Sequence, residues 1–158
     1  MATDEEKLRA EKLTEFTNEA RKSPLRFLQH DVNAHEDDAI CKMVEALGIG
    51  AYGRYWQLME LLARRSQHCY DVSDRHGWRK LSLDMSSLED FSVDDCKEFV
   101  ETLCALDLLS GDSYREFSHV CSERLSREVE RYAEETASKK FGGWNRTRKN
   151  LLKSQSQD

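Results

Sequence analysis

GAYGRYWQLMELLARR (residues 50–65) is the stretch on which the reading of the chain turns. Tyr52, Tyr55, Trp56, Met59 and Leu62 recur at three- and four-residue spacing, the period of a helix with one apolar face. Leu58 and Leu61 widen that face, so this helix is expected at the centre of a core. Arg64 and Arg65 fall in its last turn, where cations suit the negative end of the helix dipole.

Outward from it, Cys69, Tyr70, Asp71 and Val72 read as a short strand, and residues 74–77 as a turn. Trp78, Leu81, Met85 and Leu88 keep helical spacing and predict a second helix over residues 78–87. Ser92, with Asp95 three residues on, is close to a capping box. It predicts a third helix carrying Val93, Cys96, Phe99, Val100, Leu103 and Leu106 on one stripe. Leu108 and Leu109, the turn-rich SGDS (residues 110–113) and residues 117–121 then read as two strands of a hairpin. Helix, strand, helix, helix and hairpin in that order is the winged form of the helix-turn-helix, the hairpin being the wing.

The flanks extend this unit. Residues 1–26 hold six acids and six bases with little to bury. Residues 1–24 are therefore expected to be a charged, flexible arm, with a helix that docks only on a partner as the other reading. LRFLQHD (residues 25–31) looks like a strand. Asn33 is placed to cap a helix over residues 35–47, which Gly48 ends. Ser122 caps a long helix to about residue 140, with Leu125, Val129, Tyr132 and Ala133 inward and Glu and Arg paired along its outer side. FGGW (residues 141–144) is expected to break that helix, leaving residues 141–158 as a basic disordered tail. The fold class expected is thus mainly α with a small β wing: a winged-helix domain over residues 25–140, with an N-terminal strand–helix extension and a long C-terminal helix.

Composition bounds function. At 158 residues and 39% apolar content the chain supports one domain with a real core. No run approaches the length of apolar residues a membrane span needs, and the N-terminus lacks a signal-peptide pattern. Five scattered cysteines without a C-x-x-C pair suit a reducing cytoplasm. His68, Cys69 and His76 are the sole metal hint and lack a fourth ligand at familiar spacing, so neither a metal nor another cofactor is expected. Gly48, Gly50 and Gly53 match G-x-G-x-x-G but follow a helix rather than a strand, which removes the phosphate-loop reading. The five histidines have no nucleophile at a telling spacing, and the chain does not read as an enzyme.

Charge is unevenly spread. Residues 27–138 hold twelve bases and twenty-three acids, whereas residues 139–158 hold six bases and one acid. The third helix carries Asp94, Asp95, Glu98, Glu101 and, at its end, Asp107 against Lys97 alone. Nucleic-acid affinity comes chiefly from neutralising phosphates, so this helix is not expected to enter a DNA groove. Two sets of residues can hold DNA instead. One is Arg64, Arg65, Arg75, Arg79 and Lys80, expected at one end of the first two helices. The other is the tail: Lys139, Lys140, Arg146, Arg148, Lys149 and Lys153, with Trp144 able to stack on bases of a single strand.

Five segments carry a likeness to a known family: FLQHDVNA (27–34), GIGAYGRYWQLMELL (48–62), LDLL (106–109), VCSERLSREVERY (120–132) and ASKKFGGWNR (137–146). Through them the chain resembles the N-terminal domain of phage replisome organisers and Listeria-type prophage replication proteins, related to DnaD-like primosome components. The resemblance covers about residues 27–146. It implies a winged-helix, DNA-binding domain acting in replication initiation of a phage or mobile element. The partners it implies are single- or double-stranded DNA and a helicase-loading or primosome protein. Self-association without DNA contact and transcriptional regulation are the alternative readings.

Overall fold

A computed structural model of the chain describes residues 3–155. It divides into two units: one spans Pro24–Glu128, the other combines the residues up to Ser23 with those from Val129 onward.

The first unit is built around a helix, α3, at Gly50–Arg64, where the apolar spacing put it. Tyr55, Leu58, Met59 and Leu62 on it are almost fully buried. Before it, α2 (Asp38–Leu47) buries Ile40 and Met43. Its cap is Asp37, whose carboxylate accepts from the Ala39 and Ile40 amides at 2.9 and 3.2 Å. Asn33, expected in that role, instead precedes a single 3₁₀ turn at Ala34–Glu36. Gly48 does close α2, at φ +84°, a conformation glycine tolerates and most residues resist.

After α3 come β1 (Cys69–Asp71), α4 (Arg75–Met85) and α5 (Val93–Ala105). Asp74 caps α4 by accepting from Gly77 N at 2.8 Å, which starts that helix a turn earlier than the apolar spacing alone suggests. Trp78, Leu81 and Met85 are buried as expected, but Leu88 lies past the end of α4 and is exposed. Ser92 caps α5 as read, accepting from Asp95 N at 3.1 Å. Cys96, Phe99, Val100 and Leu103 form its buried stripe.

Two strand expectations fail. LRFLQHD contains no strand. Leu25 N–H caps the end of α3 by donating to Ala63 O at 3.0 Å and its side chain is buried, but Phe27 is 87% exposed and the segment has no ladder partner. The hairpin over residues 108–121 is also absent. Ser110 accepts from Ser113 N at 3.4 Å and begins a short helix, α6 (Gly111–Phe117). Serine followed by Gly-Asp reads equally as a turn or a helix start. The second strand, β2 (His119–Cys121), pairs antiparallel with β1 rather than with residues 108–109. The protein is therefore mainly helical with one two-stranded antiparallel sheet.

In the second unit, α1 (Asp4–Arg21) is a helix with a full capping box between Thr3 and Glu6, where a flexible arm was expected. Arg21 donates to Glu130 at 2.8 Å and Lys140 to Glu19 at 2.9 Å. The last helix, α7, runs Glu123–Gln155. Its start is as read: Ser122 Oγ accepts from Leu125 N at 3.3 Å. Its end is not, because residues 141–155 continue the helix through Gly142 and Gly143. Phe141 and Trp144 lie 5.5 Å apart on one side of it, and Arg148 sits 5.5 Å over the Trp144 ring. These contacts at i, i+3 and i+7 hold the turns that two glycines weaken by about 1 kcal/mol each. The expectations for residues 1–2 and 156–158 fall outside the described residues.

Candidate nucleic-acid interface

The basic end of α7 sorts its cations by direction. At 3.6 residues per turn, Lys139, Arg146, Lys149 and Lys153 fall within an arc of about 80° and along about 21 Å of axis. All four are exposed, and none has an ion-pair partner among the described residues. Residues 139–155 contain no acid, so nothing on this segment offsets the stripe.

The other three tail residues are otherwise engaged. Lys140 is paired with Glu19 and lies 5.9 Å over the Phe16 ring. This bond holds the Glu19 carboxyl below its ordinary range. Arg148 lies over Trp144, and its Nη1 is buried without a hydrogen bond. Trp144 is half-buried between Phe141 and Arg148 and belongs to the side of α7 that carries the buried Ala133 and Ala137. A ring held there has one face against Arg148 and Phe141 beside it, so less of it is open to stacking on bases than on a free tail.

The cluster expected in the first unit does not gather into one patch. Arg65 is used by the fold: its Nε donates to Cys69 O at 2.8 Å and its guanidinium lies 4.0 Å from the Tyr70 ring centre. Arg64 is exposed and lines a hollow of about 470 Å³ with Arg26, His30, Trp56 and Glu60. Arg75 and Arg79, one turn apart on α4, line a separate hollow of about 640 Å³ with Asp74, Asp94 and Lys97. Lys80 is exposed but lines neither.

Sequence reasoning did not assign Arg26 and Lys97 to these hollows. Lys97, the lone base of an acidic helix, is one turn from Val93, the spacing that turns it toward α4, and it lies 5.7 Å over the Trp78 ring. Arg54 was also missed, and it is structural. It donates to Met85 O and to Glu89 O, stacks 4.5 Å from the Phe91 ring centre, and so ties α3 to the link between α4 and α5.

On α5, Asp94, Asp95, Glu98 and Glu101 are all exposed. The outer side of α5 therefore presents carboxylates to solvent.

A family model described as Lin1244/Lin1753-like, N-terminal, matches residues 27–125. The chain belongs to this family. No curated protein and no solved structure matches the chain. The Lin1244/Lin1753-like region contains α2 to α6 and the hollow beside Arg75 and Arg79, takes in the other hollow apart from Leu25 and Arg26, and ends as α7 begins. The basic stripe lies beyond it. Among the described residues no helix is long and apolar enough to cross a membrane.

Proposed function

We propose that the protein is a DNA-binding accessory factor in replication initiation of a phage or mobile element. It grips the phosphate backbone through Lys139, Arg146, Lys149 and Lys153, with Arg64, Arg75, Arg79 and Lys80 as secondary contacts, and keeps α5 away from DNA. The observation that carries this reading is the stripe of four exposed, unpaired cations on a helical segment without acids. Family membership supports the replication setting through the likeness to Listeria-type prophage replication proteins. In this reading the frame of α3, β1, α4, α5 and β2 is a winged-helix relative whose wing has lost its hairpin partner to α6.

A second reading has its own support. The exposed carboxylates of α5 suit a basic protein surface, so the first unit can dock on a helicase-loading or primosome protein, or on a second copy of the chain. Transcriptional control by groove readout has less support, because α5 presents no Arg, Asn or Gln to base edges.

Anisotropy titrations with labelled single- and double-stranded DNA separate these readings, using the full chain and a version ending at Ser138. Binding by the full chain alone, equal across sequences, is expected. Equal binding by both versions refutes the role of the stripe. No binding by either at low salt refutes the DNA reading and leaves the docking one. Sequence-dependent binding would instead favour groove readout.

A further inference from the structure

β1 and β2 bring Cys69 together with His119 and Cys121, which the sequence keeps far from it. Val72 N–H donates to Ser118 O at 2.9 Å, so Val72/Ser118 and, two residues back, Tyr70/Val120 are hydrogen-bonded pairs of the ladder. Cys69/Cys121 and Asp71/His119 are then the non-hydrogen-bonded pairs, where Cα atoms stand about 4.5 Å apart and side chains come closest. Tyr70 and Val120 turn to the core, 2% and 1% exposed. Cys69, His119 and Cys121 therefore share the opposite, half-buried face. One ligand atom from each lies within 4.8 Å of the other two.

We propose that this face binds one thiophilic divalent cation of the zinc class, held by the Cys69 and Cys121 sulfurs and a His119 ring nitrogen, with a fourth position open to solvent. Zinc–sulfur and zinc–nitrogen bonds in a tetrahedron set ligand separations of about 3.6–3.8 Å, so closure asks for a shift of about 1 Å or less. Both ligand-bearing strands are tied on their outer edges, by Arg65 Nε to Cys69 O at 2.8 Å and by Ser110 N to Cys121 O at 2.9 Å. The backbone that carries the ligands is thus fixed before a metal arrives. Asp71 is the cross-strand partner of His119 on the same face, and its carboxylate accepts from Ser73 N at 2.9 Å. Two sulfurs and an imidazole select zinc-like ions over magnesium or calcium. His68 and His76, the residues first grouped with Cys69, are not members: His68 is buried with Nδ1 3.3 Å from Leu62 O, and His76 is exposed on α4.

The site is tested on the full chain, kept reduced, with cobalt(II) as a probe and zinc(II) as competitor. One equivalent of cobalt is expected to give thiolate charge-transfer absorption and visible bands of tetrahedral intensity, both discharged by one equivalent of zinc. Cys69→Ser and Cys121→Ser each abolish the charge-transfer band of a two-thiolate site, His119→Ala weakens binding, and Cys41→Ser, an exposed cysteine on α2, changes nothing. Zinc should also shield Cys69 and Cys121 of the unmutated chain from alkylation while Cys41 stays reactive, a readout independent of whether variants fold. Absent cobalt bands, bands that persist without either sulfur, or unshielded Cys69 and Cys121 overturn the proposal.

Discussion

Neutralising the α7 stripe gives a prediction with a number attached. Binding that neutralises Z phosphates falls with salt at a slope of about −0.9 Z for duplex DNA and −0.7 Z for single strands. Four contacts from Lys139, Arg146, Lys149 and Lys153 set slopes of about −3.6 and −2.8 respectively. Between 50 and 200 mM salt these four contacts alone should lower the duplex association constant by about 150-fold, and the secondary contacts add to that. Replacing Lys139, Arg146 and Lys149 with Gln leaves one stripe contact, so the stripe's share of the slope drops to about −0.9 and its share of the fall to about 3.5-fold over the same range. The paired variant Lys140→Gln/Arg148→Gln removes two charges from the same helix. Those charges are engaged by Glu19 and Trp144, so the slope should stay near that of the parent. Anisotropy across a salt series, with circular dichroism to check folding, reads both variants. If the paired variant flattens the slope as much as the stripe variant, the sorting of cations by helix face is wrong. If the stripe variant keeps the parent slope, α7 does not hold DNA.

Arg54→Ala removes the charged donor that joins α3 to the link after α4, and should cost about 2–3 kcal/mol in denaturant unfolding; Lys at 54, a point charge, should restore only part. Gly142→Ala and Gly143→Ala place methyl groups in open space and should each stabilise the end of α7 by up to about 1 kcal/mol, seen as slower amide exchange over residues 139–155. A Cβ at Gly77 would stand 2.1 Å from Asp71 O, so Gly77→Ala should destabilise the first unit by about 1–3 kcal/mol, read as a lowered thermal midpoint. Burial, and then the bond to Asp84, push the Tyr70 phenol from 10.0 up to about 12. The raised value makes its stabilising effect complete below pH 10 and lost as pH climbs toward 12, so thermal midpoints should drop through that window and drop less in Tyr70→Phe.

Helices with a strong apolar stripe were legible from sequence, as α3 shows, and α5 has a serine cap as well. Their burial pattern repeats with the helical period, and Ser92 marks the start of α5 by its side-chain bond. Strands were less so, because three-residue strands carry too little pattern to name their partners. Cys69–Asp71 was readable as extended, but only the fold shows that it pairs with His119–Cys121. SGDS was misassigned because Ser and Asp favour helix starts and turns for the same reason, a side-chain acceptor aimed at nearby amides. The helix through Gly142 and Gly143 defeated composition because contacts among Phe141, Trp144 and Arg148 offset the glycine cost. At the site, charge sign along the chain was legible and charge direction was not.

That distinction decides which cations can serve DNA. A cation gains by contacting phosphate only what it does not lose elsewhere. Arg65, bonded to Cys69 O and stacked on Tyr70, and Lys140, bonded to Glu19, would have to break contacts that hold the fold. Arg148 would have to leave Trp144. Lys139, Arg146, Lys149 and Lys153 surrender only hydration and diffuse counterions, and the phosphate's own counterions are released in exchange. The salt slope should therefore follow the number of unengaged cations rather than the formal charge of residues 139–158. On α5 the same balance runs the other way: Asp94, Asp95, Glu98 and Glu101 would each meet phosphate with repulsion and no counterion release to offset it.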